Sequence, residues 1–228
     1  MPATLHIAIE GVDGAGKTTV RNALSRAMIR AGHPCSITGP HAWLDVDAGR
    51  RIVAFRERRG PVEPAAVSDA WFRDKQVIAT RVIAPALDRV SVLSDRYVFS
   101  DAVYHEVLLD IPAMTTLERH LHAGTRMPDL LLYVDVDAEL ALARIEARTE
   151  ARHFYEDRAH IGPLLDCFRR VVAEVDRRRL APVLTFLNHR ADVAAAVEEE
   201  IMPVVVAALG NAAETSPSKP SDRMAARK

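Results

Sequence analysis

Residues Gly11-Val12-Asp13-Gly14-Ala15-Gly16-Lys17-Thr18 repeat the spacing GxxxxGK[ST] at every fixed position. This pattern restricts the fold because it needs a strand before it and a helix after it. Both are legible here. Leu5 to Glu10 is a short apolar run, and Lys17 to about Ala31 is amphipathic. Glycines let the backbone turn its N–H groups inward around an anion. The helix starting near Lys17 points the positive end of its dipole at the same place. Gly11, Asp13, Gly14, Ala15, Gly16, Lys17, Thr18 and Thr19 are therefore expected to cradle a nucleoside triphosphate such as ATP. Lys17 can reach the outer phosphates, and the Thr18 hydroxyl can sit on Mg2+.

The alternation continues along the chain. Strands are expected at Ser36 to Thr38, Val90 to Ser94, Leu131 to Val136 and Val183 to Leu187. Helices are expected at Ala65 to Leu87, Ser100 to about Ala123 with a break at Pro112, Ala138 to Arg148, Pro163 to about Arg179 and Val193 to about Leu209. Gly32, His33 and Pro34 end the first helix, and Pro203 is expected to kink the last. Apolar strands separated by helices imply an α/β fold of the P-loop NTPase type, with a doubly wound five-stranded parallel sheet and helices on both faces. Residues 1–210 form one domain in this reading, with a short lid at about 149–160. The small, polar, Pro-containing stretch 211–228 is expected to be disordered.

Composition narrows the class. With 228 residues, 49% of them hydrophobic, the chain can bury one sizeable core. A net charge of -1 lacks the basic excess of a nucleic-acid-binding domain. Cys35 and Cys167 are far apart, which fits neither a zinc site nor a disulfide framework. The nine histidines make no metal-ligand spacing. No run of 18 apolar residues and no leader pattern is read, so the expectation is a cytoplasmic protein with no membrane partner.

Asp95-Arg96 follows the third strand. A carboxylate at the carboxyl end of a parallel strand beside the phosphate loop can hold Mg2+ or its waters. Arg96 offers a rigid fork of donors for a phosphate. Five stretches then match one family in order: IEGVDGAGKTT (Ile9 to Thr19), WFRDKQVIATRVIAPAL (Trp71 to Leu87), SDRYVFSDAVYH (Ser94 to His105), PDLLLYVDVDAELALARIEAR (Pro128 to Arg148) and RHFYE (Arg152 to Glu156). Over about Leu5 to Phe168 the chain resembles thymidylate kinases. The resemblance implies transfer of the γ-phosphoryl group of ATP to a small nucleotide acceptor, dTMP, giving dTDP. It implies that Asp13 bonds the acceptor's 3′-hydroxyl, Trp71 stacks on its base, Arg96 holds its phosphate and Tyr104 packs against its sugar. A cation from the lid stabilises the transferring group, with Arg152 the first candidate and Arg148 the second. Glu156 matches a lid acid, and a homodimer is also implied.

Some positions depart from the family. Lys75 stands where the family's Asp-Arg pair has Arg, and Asp101 where a neutral Ser, Thr or Asn is usual. Both fall on the base-reading helices. An acid could accept the single ring N–H of thymine, but it suits the donors of guanine, cytosine or adenine better. If Asp101 faces the base, Asp101→Asn is expected to favour dTMP. His41-Ala42-Trp43 replaces an Arg-containing turn. The five arginines of Gly49 to Gly60 (Arg50, Arg51, Arg56, Arg58, Arg59) read as a solvated helix face. Ser100 reads as a helix cap, and Phe72 as the core member of the Trp71-Phe72 pair. Two other functions stay open at this point: a nucleoside kinase acting on a sugar hydroxyl, and a P-loop binding protein without transfer chemistry.

Overall fold

The computed structural model describes residues 3–61, 63–149 and 151–215. Five strands, β1 (His6–Glu10), β2 (Cys35–Thr38), β3 (Ser91–Asp95), β4 (Leu130–Asp135) and β5 (Val183–Leu187), form one sheet in the order β2-β3-β1-β4-β5. Every pairing is parallel. Every residue of β1 and β4 is buried, as are the first four of β3. Helices cover both faces of such a sheet, so the central strands read as unbroken apolar runs. The edge strands β2 and β5 are partly exposed. Opposite Ile9 lies Asp95, and opposite Glu10 lies Tyr133, so the carboxyl ends of β3, β1 and β4 reach one rim together.

Helix α1 (Lys17–Arg30) links β1 to β2. Helices α2 (Val46–Arg56) and α3 (Pro64–Val77), a π-helical stretch (Ile78–Ile83) and α4 (Ala84–Leu87) lead to β3. Next come α5 (Val98–Leu109) and α6 (Ala113–His122) before β4, then α7 (Ala138–Glu146) and α8 (Arg158–Arg177) before β5. The chain closes with α9 (Val193–Ala196), a second π-helical stretch (Val197–Ile201) and α10 (Met202–Thr215). The path reverses direction across the sheet after β2. Right-handed crossovers then put α1 on one face and α3 to α8 on the other. The contacts agree: α1 packs with the C-terminal helical segment, and α5 packs with α3, α6 and α8. Among the described residues no helix is long and apolar enough to cross a membrane.

Several boundaries differ from the sequence reading for identifiable reasons. Both π-helical stretches end shortly before a proline, Pro85 or Pro203. Proline lacks an N–H and crowds the carbonyl four residues back, and a widened turn relieves both problems. Helix α8 starts at Arg158 rather than Pro163 because Asp157 caps it, accepting the His160 N–H at 3.0 Å. Helix α10 runs to Thr215, so the segment expected to be disordered from 211 begins as helix. Its remainder, 216–228, lies outside the described residues.

His6, His105 and His120 are buried at 0%, 1% and 0% exposure. Burial pushes each of them down to about 3 from an ordinary 6.5, with nearby cations adding to the effect. A group whose folded value is depressed contributes its full stability above the unfolded value and loses it as pH falls toward the folded one. The share of stability carried by these three histidines is therefore intact above about pH 6.5 and declines below it, while the raised carboxyls of Glu10 and Asp101 work in the opposite direction. Each histidine removes up to about 2 kcal/mol between pH 6.5 and 5. Replacing the three histidines together by Gln should make the urea midpoint fall less between pH 7.5 and pH 5 than in the unmodified protein, and an unchanged difference between the two pH values would contradict this.

Candidate active site

The phosphate loop is shaped by what lies behind it. Gly11, Gly14 and Gly16 all have positive φ, at 144°, 80° and 86°. A Cβ on Gly11 would come within 2.5 Å of the Val134 carbonyl, and one on Gly14 would strike the Ala141 carbonyl. Glycine is required there by β4 and α7 as much as by a ligand. Lys17 is buried and donates to the Val12 carbonyl at 2.7 Å. Burial and the neighbouring Arg96 pull it down to about 8, against the opposing pull of Asp13, Asp95 and Glu10. Thr18 and Thr19 are exposed and line a cavity with Gly14, Gly16, Lys17 and Asp95.

Asp13 and Arg96 join this loop to the turn after β3. Arg96 donates to Asp13 Oδ1 at 2.6 Å and to the Gly11 carbonyl at 2.8 Å. Tyr104 Oη donates to Asp13 Oδ2 at 2.9 Å, and the Arg96 guanidinium lies 5.0 Å from the Tyr104 ring centroid. Burial alone would raise the Asp13 carboxyl, but Arg96, Lys17 and Tyr104 outweigh it and hold it well below the usual range. Arg96 itself has a φ of 70°. A positive φ in a non-glycine residue costs about 1–3 kcal/mol and persists only where its surroundings enforce it. Here the Arg96 N–H is fixed on the Ile9 carbonyl at 3.0 Å while the side chain is fixed on the loop. Asp95 lines the phosphate cavity, and Arg21 of α1 holds one of its oxygens at 2.6 Å.

The cap of α5 comes from β1 rather than from Ser100. Glu10 accepts the Tyr97 N–H at 2.8 Å and the Ser100 hydroxyl, so Ser100 donates to the capping acid. Burial raises the Glu10 carboxyl above its ordinary value.

A second cavity opens beside the first. Trp71, Ser100, Asp101, Tyr104, His41 and Tyr155 are among its lining residues. Trp71 stacks on His105 at 5.0 Å with a 12° interplanar angle. It is buried at 5% exposure, whereas Phe72 is only half-buried and packs on His120 and Arg119. Phe72 is thus not the core member of the pair, while Trp71, though buried, lines the cavity. Lys75 does not line the cavity. It stands behind Asp101, with Nζ 3.3 Å from Asp101 Oδ1 and donating to the Pro40 carbonyl at 2.8 Å. Asp101 Oδ2 is buried without a hydrogen-bond partner among the described residues. Burial pushes this carboxyl up to about 7, with Lys75 opposing. Asp74 holds the unusual turn, accepting from the Ala42 N–H at 3.1 Å, the Trp43 N–H at 3.2 Å and facing His41 at 3.1 Å.

The two cavities share Asp13, Pro40, Arg56, Arg96 and Arg148. Arg148 pairs with Glu156 at 3.2 Å, and Glu156 also accepts the His153 N–H at 2.9 Å. Arg152 is exposed and lines neither cavity. Arg56, read from sequence as part of a solvated face, is instead at the junction and donates to His153 at 2.6 Å. The sequence gives a signal only in hindsight, since Arg56 is the one arginine of that run in the last turn of α2. Behind the loop, Arg144 donates to the Gly14 and Ala15 carbonyls, both at 3.3 Å, and Asn188 donates to the Ala15 carbonyl at 2.7 Å. Sequence reasoning missed Asn188 and Arg21 altogether.

A phosphate cradle and a base-sized aromatic cavity meeting at a cluster of cations suit phosphoryl transfer between nucleotides. Comparison with known proteins agrees. The family model described as thymidylate kinase matches residues 9–183. The chain is 28% identical over 170 residues to the thymidylate kinase of Leptospira borgpetersenii, covering 74% of this chain and 81% of that protein. It is 36% identical over 156 residues to a probable thymidylate kinase of Methanospirillum hungatei, covering 66% and 72%. It is 35% identical over 156 residues to the thymidylate kinase of Xanthomonas euvesicatoria, covering 68% and 66%. This chain belongs to the thymidylate kinase family.

Proposed function

We propose that the protein transfers the γ-phosphoryl group of ATP to dTMP, giving dTDP and ADP. The observation that carries this reading is the junction of the two cavities at Asp13, Arg56, Arg96 and Arg148. A triphosphate seated on Gly14 to Thr19 directs its terminal phosphate toward that junction. A monophosphate whose base lies against Trp71 presents its own phosphate from the other side. The acceptor oxygen is already anionic, so no general base is required. Positioning and charge neutralisation supply the rate. Arg96 is held in place by Asp13, Gly11 and Ser100, so its charge and its remaining N–H groups meet a phosphate from a fixed position. Arg148 is the lid cation best placed to meet charge spreading on the transferring group, and Arg152 is the reserve. Asp13 and Tyr104 face the acceptor's sugar.

Thr18 and Asp95 are the residues that would hold Mg2+. They fit a cation that takes few protein ligands and keeps its waters and phosphate oxygens. The ion would neutralise charge on the phosphates. A homodimer is carried over from the family as part of the same proposal, and sedimentation at micromolar concentration reads it. A coupled ADP-release assay across dTMP, dCMP, dGMP and thymidine tests the central reaction. dTMP should be the best acceptor and thymidine inert, and turnover of thymidine alone would overturn the reading.

Arg56 should matter to the acceptor. Arg56→Ala is expected to raise the KM for dTMP by about 10- to 100-fold, the range of a lost charge-assisted contact, and to leave the KM for ATP within a few-fold. An unchanged acceptor KM would place Arg56 outside the reaction.

Asp101 and Lys75 act as one unit in this reading. Breaking a buried pair from one side leaves an uncompensated charge and costs about 3–5 kcal/mol, whereas removing both partners together costs much less. Asp101→Asn alone therefore loses stability before it can gain preference for dTMP, unlike the expectation for an unpaired Asp101. In thermal denaturation, Lys75→Met and Asp101→Asn should each lower Tm, and the double variant should recover part of the loss. Strictly additive losses would show that the two do not interact.

A further inference from the structure

An arginine fork has five N–H donors, and most of those on Arg96 are already in use. Nη1 donates to the Gly11 carbonyl at 2.8 Å and to Ser100 Oγ at 3.3 Å, and Nη2 donates to Asp13 Oδ1 at 2.6 Å. Two acceptors on Nη1 match its two hydrogens. Among the described residues this leaves Nε–H and one hydrogen of Nη2 for an anion. Which donors stay free thus depends in part on Ser100, which must turn a lone pair toward Nη1.

A hydroxyl has a single hydrogen, and its direction decides where the lone pairs lie. The hydrogen of Ser100 is directed at Glu10 Oε2, while Glu10 Oε1 accepts the Tyr97 N–H at 2.8 Å. Glu10 is fully buried at the end of β1 and lines neither cavity. Burial favours its neutral form; the Ser100 hydroxyl, Arg96, Lys75 and the Tyr97 N–H favour the anion. A carboxylate can only accept, so Ser100 donates to it and keeps its lone pairs for Arg96. The backbone is set from the same place, since Tyr97 directly follows Arg96. A residue out of reach of any ligand in either cavity is therefore linked, through one hydroxyl, to the cation that lines both of them.

We propose that Glu10 is a positioning residue for the acceptor's phosphate: it turns the Ser100 hydroxyl so that Ser100 holds Nη1 of Arg96 and leaves Nε–H and Nη2 to the phosphate. This deepens the reading of the cleft as a nucleoside monophosphate site and rests on it. Gln at position 10 would break the relay without changing its shape. Its amide oxygen has to meet the Tyr97 N–H, which can only donate, so its NH2 group faces Ser100 and takes a lone pair. The hydroxyl hydrogen is then displaced, and turned toward Nη1 it sets donor against donor.

Ser100 also lines the acceptor cavity, so direct contact with a ligand has to be separated from action through Arg96. Equilibrium titration calorimetry with dTMP and with thymidine, which lacks the phosphate, separates them. No ATP is present, so failure of phosphoryl transfer would be a distinct result. Ser100→Ala and Glu10→Gln should each weaken dTMP by about 3- to 10-fold, the range of one lost hydrogen bond, and leave thymidine unchanged. The double variant should be no weaker than the worse single one, because both act through one contact. Equal weakening of dTMP and thymidine would mean that Ser100 touches the nucleoside or only supports the fold, and it overturns the proposal. Unchanged dTMP affinity in Ser100→Ala, which leaves Glu10 in place, overturns it too, whether or not Glu10→Gln folds. If the unmodified protein binds dTMP no more tightly than thymidine, the assignment of Arg96 to the phosphate falls together with it.

Discussion

The pair formed by Asp13 and Arg96, 2.6 Å apart and largely shielded from water, ties the loop after β1 to the turn after β3 where the two cavities meet. Asp13 belongs to the phosphate loop at the end of β1, and Arg96 to the turn at the end of β3. Neither position would define a geometry alone. Together with the Gly11 carbonyl and the Tyr104 hydroxyl they fix one loop against the other. A buried ion pair is a poor source of net stability, because desolvation cancels most of its attraction. Its value here is geometric. The strained backbone at Arg96 shows the same bias toward placement over comfort, since the surrounding bonds force a conformation that the residue would not choose.

The positions that depart from the family pattern make sense as compensated sets. Lys75 is shorter than the arginine it replaces and carries no fork, and Asp101 supplies its counter-charge across 3.3 Å. Asp74 takes over the turn after Pro40 by accepting two backbone N–H groups, so His41-Ala42-Trp43 needs no arginine of its own. What remains facing the second cavity from this pair of helices includes Trp71, backed by His105, and Asp101.

The sheet and the phosphate loop were legible because their causes are local. An apolar run, glycines at set intervals and a lysine-threonine pair say the same thing wherever they occur. The acceptor side, Arg96 aside, was legible only through resemblance, since Trp71 on one side and Asp101 and Tyr104 on the other come from two separate stretches of the chain. The roles of Arg56, Arg21, Asn188 and Glu10 were not legible. Each depends on a partner 74 to 173 residues away in the chain. No periodicity marks such a residue. An arginine at the end of α2 looks like any surface arginine until the fold brings His153 to it, and Ser100 looks like a cap until Glu10 arrives from β1. In the lid, Arg148 lines both cavities and Arg152 neither, a distinction that the short polar segment has no pattern to reveal.

The contact between Arg56 and His153 has a mechanical consequence. Arg56 is on α2, whereas His153 is on the short segment that also holds Arg148 through Glu156. Raising that segment means parting the two side chains, which leaves Arg56 on α2 while Arg148 moves with Glu156 and His153. The bolt that shuts the chamber is thus made from the same arginines that line both cavities. Opening of the segment and separation of the clustered positive charge become a single event.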